Sequence, residues 1–177
     1  MFQRDLNFIH KYFVAEKQES LLFLIIGIIA LVLAIVFFFF IKSSPSFYKG
    51  AAWPLLVVGL IQIVVGYSVY ARSDKQRMDV SYKMGLEPKV FIQQEEGPRM
   101  KKVMVNFVYY RYVEIALAIA GLVLVFLYRS KPEKEFWFGL GITLALQAMI
   151  MLGADYFAEK RGGEYVREIE QFGNLKI

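Results

Sequence analysis

Glu114 stands inside an otherwise apolar stretch, YYRYVEIALAIAGLVLVFLY, running from Tyr109 to Tyr128. A carboxyl group in that setting has two roles open to it. Alone, it can take up and release a proton and so act as a carrier; beside a cation, it forms a salt bridge that fixes helix register. Arg111, one helical turn earlier on the same face, is placed to be that cation. Asp155 and Arg72 fall near the same level on neighbouring apolar stretches, and Glu19 stands just before the first of them. Together these five residues form a candidate layer of paired charges. Gln62 lies nine residues after Trp53, and Gln147 ten after Trp137. On helices rising about 1.5 Å per residue both amides fall near the middle of an apolar layer. The expected role for them is a hydrogen bond across a bundle, worth on the order of 1 kcal/mol, with ligand contact as the alternative.

Other site chemistry is missing from the sequence. There is no cysteine, which excludes disulfides, thiolate zinc ligands and a thiol nucleophile, and the single histidine, His10, cannot build a metal cluster alone. No H-E-x-x-H, G-x-S-x-G or phosphate-loop pattern occurs. We therefore expect no catalytic residue, cofactor or metal. The net charge of +5 follows mainly from topology, so no nucleic-acid partner is inferred.

The elements that must hold these residues are apolar helices. Leu21 to Phe40 is a run of 20 residues without a charge, long enough to cross a hydrocarbon layer of about 30 Å. Further spans are read at 51–71, 109–128 and 136–155. In the second, Pro54 is expected in the first turn, where its missing N–H costs little. The loops IKSSPSFYKG and RSKPEKEF are short and contain Pro, so each pair of spans is expected to close as an antiparallel hairpin. The predicted fold is all-α: a polytopic membrane protein with a four-helix bundle built from two hairpins. The polar, mixed-sign lead-in 1–20 does not read as a signal peptide.

Four spans put both termini on one side. The terminal and central segments hold 16 of the 21 Lys and Arg residues, and the two loops hold Lys42, Lys49, Arg129, Lys131 and Lys134. That asymmetry places both termini in the cytoplasm, in keeping with a bacterial inner membrane. Trp53 and Trp137 then mark the far interface, with Tyr48 and Tyr128 nearby, and the remaining tyrosines gather at the near one.

Phe2, Leu6, Ile9 and Phe13 recur at spacings of four, three and four, with Arg4, Lys11 and Lys17 off the stripe. This predicts an amphipathic helix over 1–20, lying on the membrane surface or docking a protein. Residues 72–108 read as a helical cytoplasmic connection. There Gly85, Pro88, Gly97 and Pro98 should break the chain, with a new helix starting at Pro98. Residues 156–177 read as a helical cytoplasmic tail. The two halves echo each other: NFIHKYFV resembles NFVYYRYV, and Gln62 resembles Gln147. Such a repeat would relate the hairpins by an axis along the membrane normal.

Small size and minimal loops point to a protein that works by binding: an accessory subunit, a regulator, or an immunity-type protein that blocks a membrane-targeting toxin. Some immunity proteins against pore-forming bacteriocins share a four-helix layout with both ends inside; that likeness is architectural and rests on no motif. The alternative is an oligomeric transporter or channel using Glu114 and the midplane glutamines. The expected partners are the lipid bilayer and either a protein partner or a second copy.

Overall fold

The computed structural model describes residues 6–174. Among them there is no strand. The elements are α1 (Asn7–Phe39), α2 (Pro45–Leu86), α3 (Pro88–Phe91), a wide π-helical turn (Ile92–Glu96), α4 (Gly97–Tyr128), a 3-10 turn (Pro132–Lys134) and α5 (Glu135–Gly173). Four helical stretches are long and apolar enough to cross a membrane: α1, α2, α5 with its leading 3-10 turn, and the run from Pro88 to Tyr128 that contains α4. Each runs well past its apolar part. The 42 residues of α2 reach about 63 Å, twice the thickness of a hydrocarbon core.

These extensions change three expectations. First, the lead-in is continuous with the first span, and its apolar stripe is covered by protein. Ile9 and Phe13 are fully buried in a core with Val80, Met84, Phe91, Ile92, Met100, Tyr165 and Ile169, and Leu6 packs on it. The stripe meets protein because α2, α4 and α5 all overrun the apolar layer at the same end. Enclosing Ile9 and Phe13 stabilises the fold by on the order of 1.5–3 kcal/mol each. Phe2 and Arg4 lie outside the described residues. Second, the chain breaks at Glu87 (φ −136°, ψ 72°), and helix resumes at Pro88. Gly97 and Pro98 do not interrupt it. Pro98 lacks the N–H an α-turn would use, and the preceding turn widens instead: the Gly97 N–H reaches back five residues to the Ile92 carbonyl. Third, α2 begins at Pro45, so Pro54 is an interior proline that leaves the Gly50 carbonyl without its helical donor.

Close backbone contacts join the helices within the apolar zone. α1 packs along α2, α4 along α5, and α2 against α5 in the centre. A methyl group on Gly27 would lie 2.8 Å from the Gly59 carbonyl, and one on Gly121 would lie 2.6 Å from the Ala145 nitrogen. Between α2 and α5 the contact is tighter and reciprocal. A methyl on Gly50 would lie 1.9 Å from the Phe136 carbonyl, and one on Gly139 would lie 2.2 Å from the Phe47 carbonyl. Each helix thus presents Phe and, three residues on, the Gly that receives the other's Phe, as an approximate two-fold axis requires.

The buried positions follow that axis. Gly50, Ala52, Gly59, Ser73 and Val80 of α2 correspond to Gly139, Gly141, Ala148, Gly162 and Ile169 of α5 at a constant offset of 89. Phe13, Gly27 and Ala34 of α1 correspond to Met100, Glu114 and Gly121 of α4 at an offset of 87. The difference of two is taken up after Pro45 and Pro132, which open the elements beyond the two loops. This register differs from the sequence echoes. Gln147 occupies the place of Val58, Gln62 that of Met151, and Asn7 does not correspond to Asn106.

Candidate functional site

The residues singled out in the sequence fall into two zones. Within the apolar zone are Gln62, Gln147, Glu114 and Asp155. Gln62 is wholly buried, Gln147 is 3% exposed and Glu114 is 2% exposed. Small neighbours bring this about: Gln62 follows Gly59 by one turn on the face where α2 meets Gly27, and Glu114 stands two turns before Gly121 on the face of α4 that meets α5. Both polar atoms of the Gln62 amide, the Gln147 carbonyl oxygen and both Glu114 oxygens have no hydrogen-bond partner. The expected bond between Gln62 and Gln147 is therefore not made. They sit on different contacts, Gln62 against α1 and Gln147 where the repeat puts Val58.

The expected pairing of Arg111 with Glu114 is not made either. Arg111 pairs with Glu159 of α5. Its guanidinium is about half exposed and reaches along the helix away from the apolar zone, while Glu114 stays enclosed, which is how a long cationic side chain keeps its head wet. The charged group acting on Glu114 is Asp155, half-buried on α5. Thus α4 and α5 bring two carboxyl groups together, and among the described residues neither has a cation as an ion-pair partner.

The second zone lies where the apolar stretches end. Glu19 pairs with Arg161 of α5, and Lys17 with Asp74 of α2. Arg72 is exposed and pairs with none of the expected residues; its charge acts on Glu16, whose carboxylate accepts a hydrogen bond from Ser73 at 3.4 Å. Burial pushes the Glu16 carboxyl above its ordinary range, against the pull of Arg72, Arg99 and Arg161. Arg161 falls at the register position of Arg72, but both act on acids of α1, so the charge layer does not follow the repeat.

Below it lies a cluster that sequence reasoning missed. Glu96, 2% exposed, sits in the wide turn before α4. Arg99 donates to it from Nε at 2.8 Å and from its terminal nitrogen at 2.7 Å, and the Tyr165 hydroxyl donates at 2.8 Å. Tyr165 stacks on Tyr12 at 4.1 Å, Arg99 lies over the Phe13 ring, and Arg161 lies over Tyr12. Burial pushes the Tyr12 hydroxyl up to about 12 and the Tyr165 hydroxyl higher still. Every charge in this cluster is matched, so its chemistry is that of a clamp joining α1, the wide turn, α4 and α5. The local signal was limited to Glu96 and Arg99 at helical spacing; Tyr12 and Tyr165 come from opposite ends of the chain.

Among the described residues no group of three His, Cys, Asp or Glu side chains is placed to hold a metal. At the other end of the bundle the two loops flank an open cleft of about 410 Å3. Comparison with family models, with curated proteins and with solved structures finds no match.

Proposed function

We propose that this chain is a membrane-embedded protein that acts by binding another protein, as an accessory or regulatory subunit or as an immunity-type protein against a membrane-targeting toxin, without catalysis. In this reading α1 with α2 and α4 with α5 form two hairpins in a bacterial inner membrane, with both termini and the aromatic core cytoplasmic. The excess of Lys and Arg at that end supports the orientation. The N-terminal lead-in then belongs to a cytoplasmic helical layer rather than to the bilayer surface.

The observation that carries the reading is the backbone packing of the bundle. At Gly27, Gly50, Gly121 and Gly139 the helices leave no room for a single methyl group. The cavity of about 410 Å3 opens at the loops, away from Gln62, Glu114 and Gln147. Such packing suits a rigid body that presents surfaces. Co-purification after cross-linking in native membranes should recover one stoichiometric protein partner. Recovery of none, together with proton-coupled solute uptake that is lost in Glu114→Gln, overturns the proposal.

One observation favours a second reading, an oligomeric transporter or channel: the buried Glu114 carboxyl, whose charged neighbour is a second acid, Asp155. That reading predicts uptake or conductance in proteoliposomes. An uptake signal unaffected by Glu114→Gln counts against it.

A further inference from the structure

We propose that the cavity between the two loops binds a phosphate group, presented by an anionic lipid headgroup or as the free ion. The inference rests on the membrane reading for the depth of the site, and on the cavity itself for its chemistry. Residues 43–48 and 128–138 line it from both repeats, so it sits over the approximate two-fold axis between α2 and α5. Its volume of about 410 Å3 is within the range of small-ligand pockets, roughly 300–1,000 Å3.

Its donors are unused. Among the described residues, the hydroxyls of Ser43, Ser44 and Ser130 and the cationic groups of Arg129 and Lys131 form no hydrogen bond or ion pair. Arg129 lies over the Phe126 ring and Lys131 over the Tyr128 ring, which leaves their N–H groups free. The one acid in the lining, Glu135, stands in the first turn of α5 and offsets the positive end of that helix. α2 begins in the same cavity with no acid in its first turn and no side-chain cap. The lining is therefore net positive, with Arg129 and Lys131 against Glu135, and it carries three serine hydroxyls. An arginine fork and a lysine suit the oxygens of a phosphate.

The rest of the lining is aromatic: Phe47, Tyr48, Tyr128 and Phe138. Tyr128 also stacks on Trp137 at 6.4 Å, the pairing of rings expected at headgroup depth. A phosphate with an apolar tail attached would meet donors and rings together.

The full chain, reconstituted in phosphatidylcholine vesicles with and without phosphatidylglycerol, tests this by native mass spectrometry of the released protein. Wild type should retain one phosphatidylglycerol per chain. Arg129→Gln with Lys131→Gln should lower that retention about tenfold, the loss of two charge-assisted contacts. Ser43→Ala with Ser130→Ala, which changes no charge, should lower it by a smaller factor. Lys42→Gln with Lys49→Gln removes two cations of the same loops that do not line the cavity, and should leave retention unchanged. Inorganic phosphate titrated against the detergent-solubilised chain separates the two sources. A saturating change in tryptophan fluorescence, absent in the Arg129/Lys131 variant, assigns the site to the free ion. No such change alongside retained phosphatidylglycerol assigns it to the headgroup. Equal retention and equal phosphate response in wild type and the Arg129/Lys131 variant overturn the proposal.

Discussion

The α1/α2 pair and the α4/α5 pair are two versions of one design, and they differ where it matters for chemistry. In the first pair Gly27 meets Gly59, and Gly66 meets the backbone of Ser20 and Leu24, so contact continues toward the charged end. In the second, Gly121 meets Gly141 and Ala145, but the places of Gly27 and Gly66 are taken by Glu114 and Asp155. One pair is closed by glycine; the other holds ionisable groups between its helices. Intramembrane carboxyls are costly, and a fold that can build the same contact from glycine has no structural need of them. The two pairs therefore differ in polarity at positions that correspond in register.

The largest effect should come from the contact the two pairs share. Gly50→Ala puts a methyl 1.9 Å from the Phe136 carbonyl, and the α2/α5 crossing should lose about 3 kcal/mol in reversible unfolding from mixed micelles. Gly153→Ala, with nothing within 4 Å, should be neutral or gain up to about 1 kcal/mol. Equal losses at the two sites would remove the crossing from the fold. Next, Glu114→Met should stabilise the second pair by about 2 kcal/mol, because it replaces a buried carboxyl that faces only a second acid, Asp155, with an apolar side chain. A loss instead would show that Asp155 holds Glu114 by a hydrogen bond that outweighs its burial. Tyr165→Phe removes a donor from the buried Glu96 carboxylate and should cost about 1.5 kcal/mol, read as earlier unfolding of the aromatic core.

The pH response is smaller and has a definite sign. The Glu16 carboxyl is raised in the folded state by burial. Its contribution is therefore fully present below the ordinary carboxylate range and is lost as pH rises through the raised value. Glu16→Gln should flatten that part of the stability profile; an unchanged profile would mean that the three arginines outweigh burial. The smallest effect is expected at Lys83, which is partly exposed and bridges Asp79 and Glu95 at the surface. Lys83→Gln should leave the unfolding midpoint unchanged.

How far the sequence was legible depended on whether the signal was local. The four apolar helices were legible, because a run of about 20 apolar residues has the length and composition to cross a hydrocarbon layer. The spacing of Leu6, Ile9 and Phe13 revealed a buried face but not what buries it, since periodicity is blind to whether the cover is lipid or protein. The start of a new α-helix at Pro98 was legible to within one residue, but the wide turn that leads into it was not, because a missing N–H can be absorbed by a wider turn as well as by a break. Among the site residues, the burial of Gln62, Gln147 and Glu114 followed from their glycine and alanine neighbours. Their pairing did not. Arg111 had two acids within reach, Glu114 one turn away and Glu159 across the helix contact, and wetter surroundings decided for the second. The cluster of Glu96, Arg99 and Tyr165 was invisible because residue 165 reaches residue 96 only after both long helices have packed.

The wide turn at Ile92–Glu96 also sets the angular phase of the third span. A residue added to or removed from an α-helix turns everything beyond it by about 100°. Upstream, Ile92 and Glu96 face the aromatic core; downstream, Glu114 and Gly121 face α5. The turn works like the slip of a clutch between those two commitments. A chain shortened by one residue there would keep either its grip on the aromatic core or its carboxyl pair, and the other would swing away from its partner.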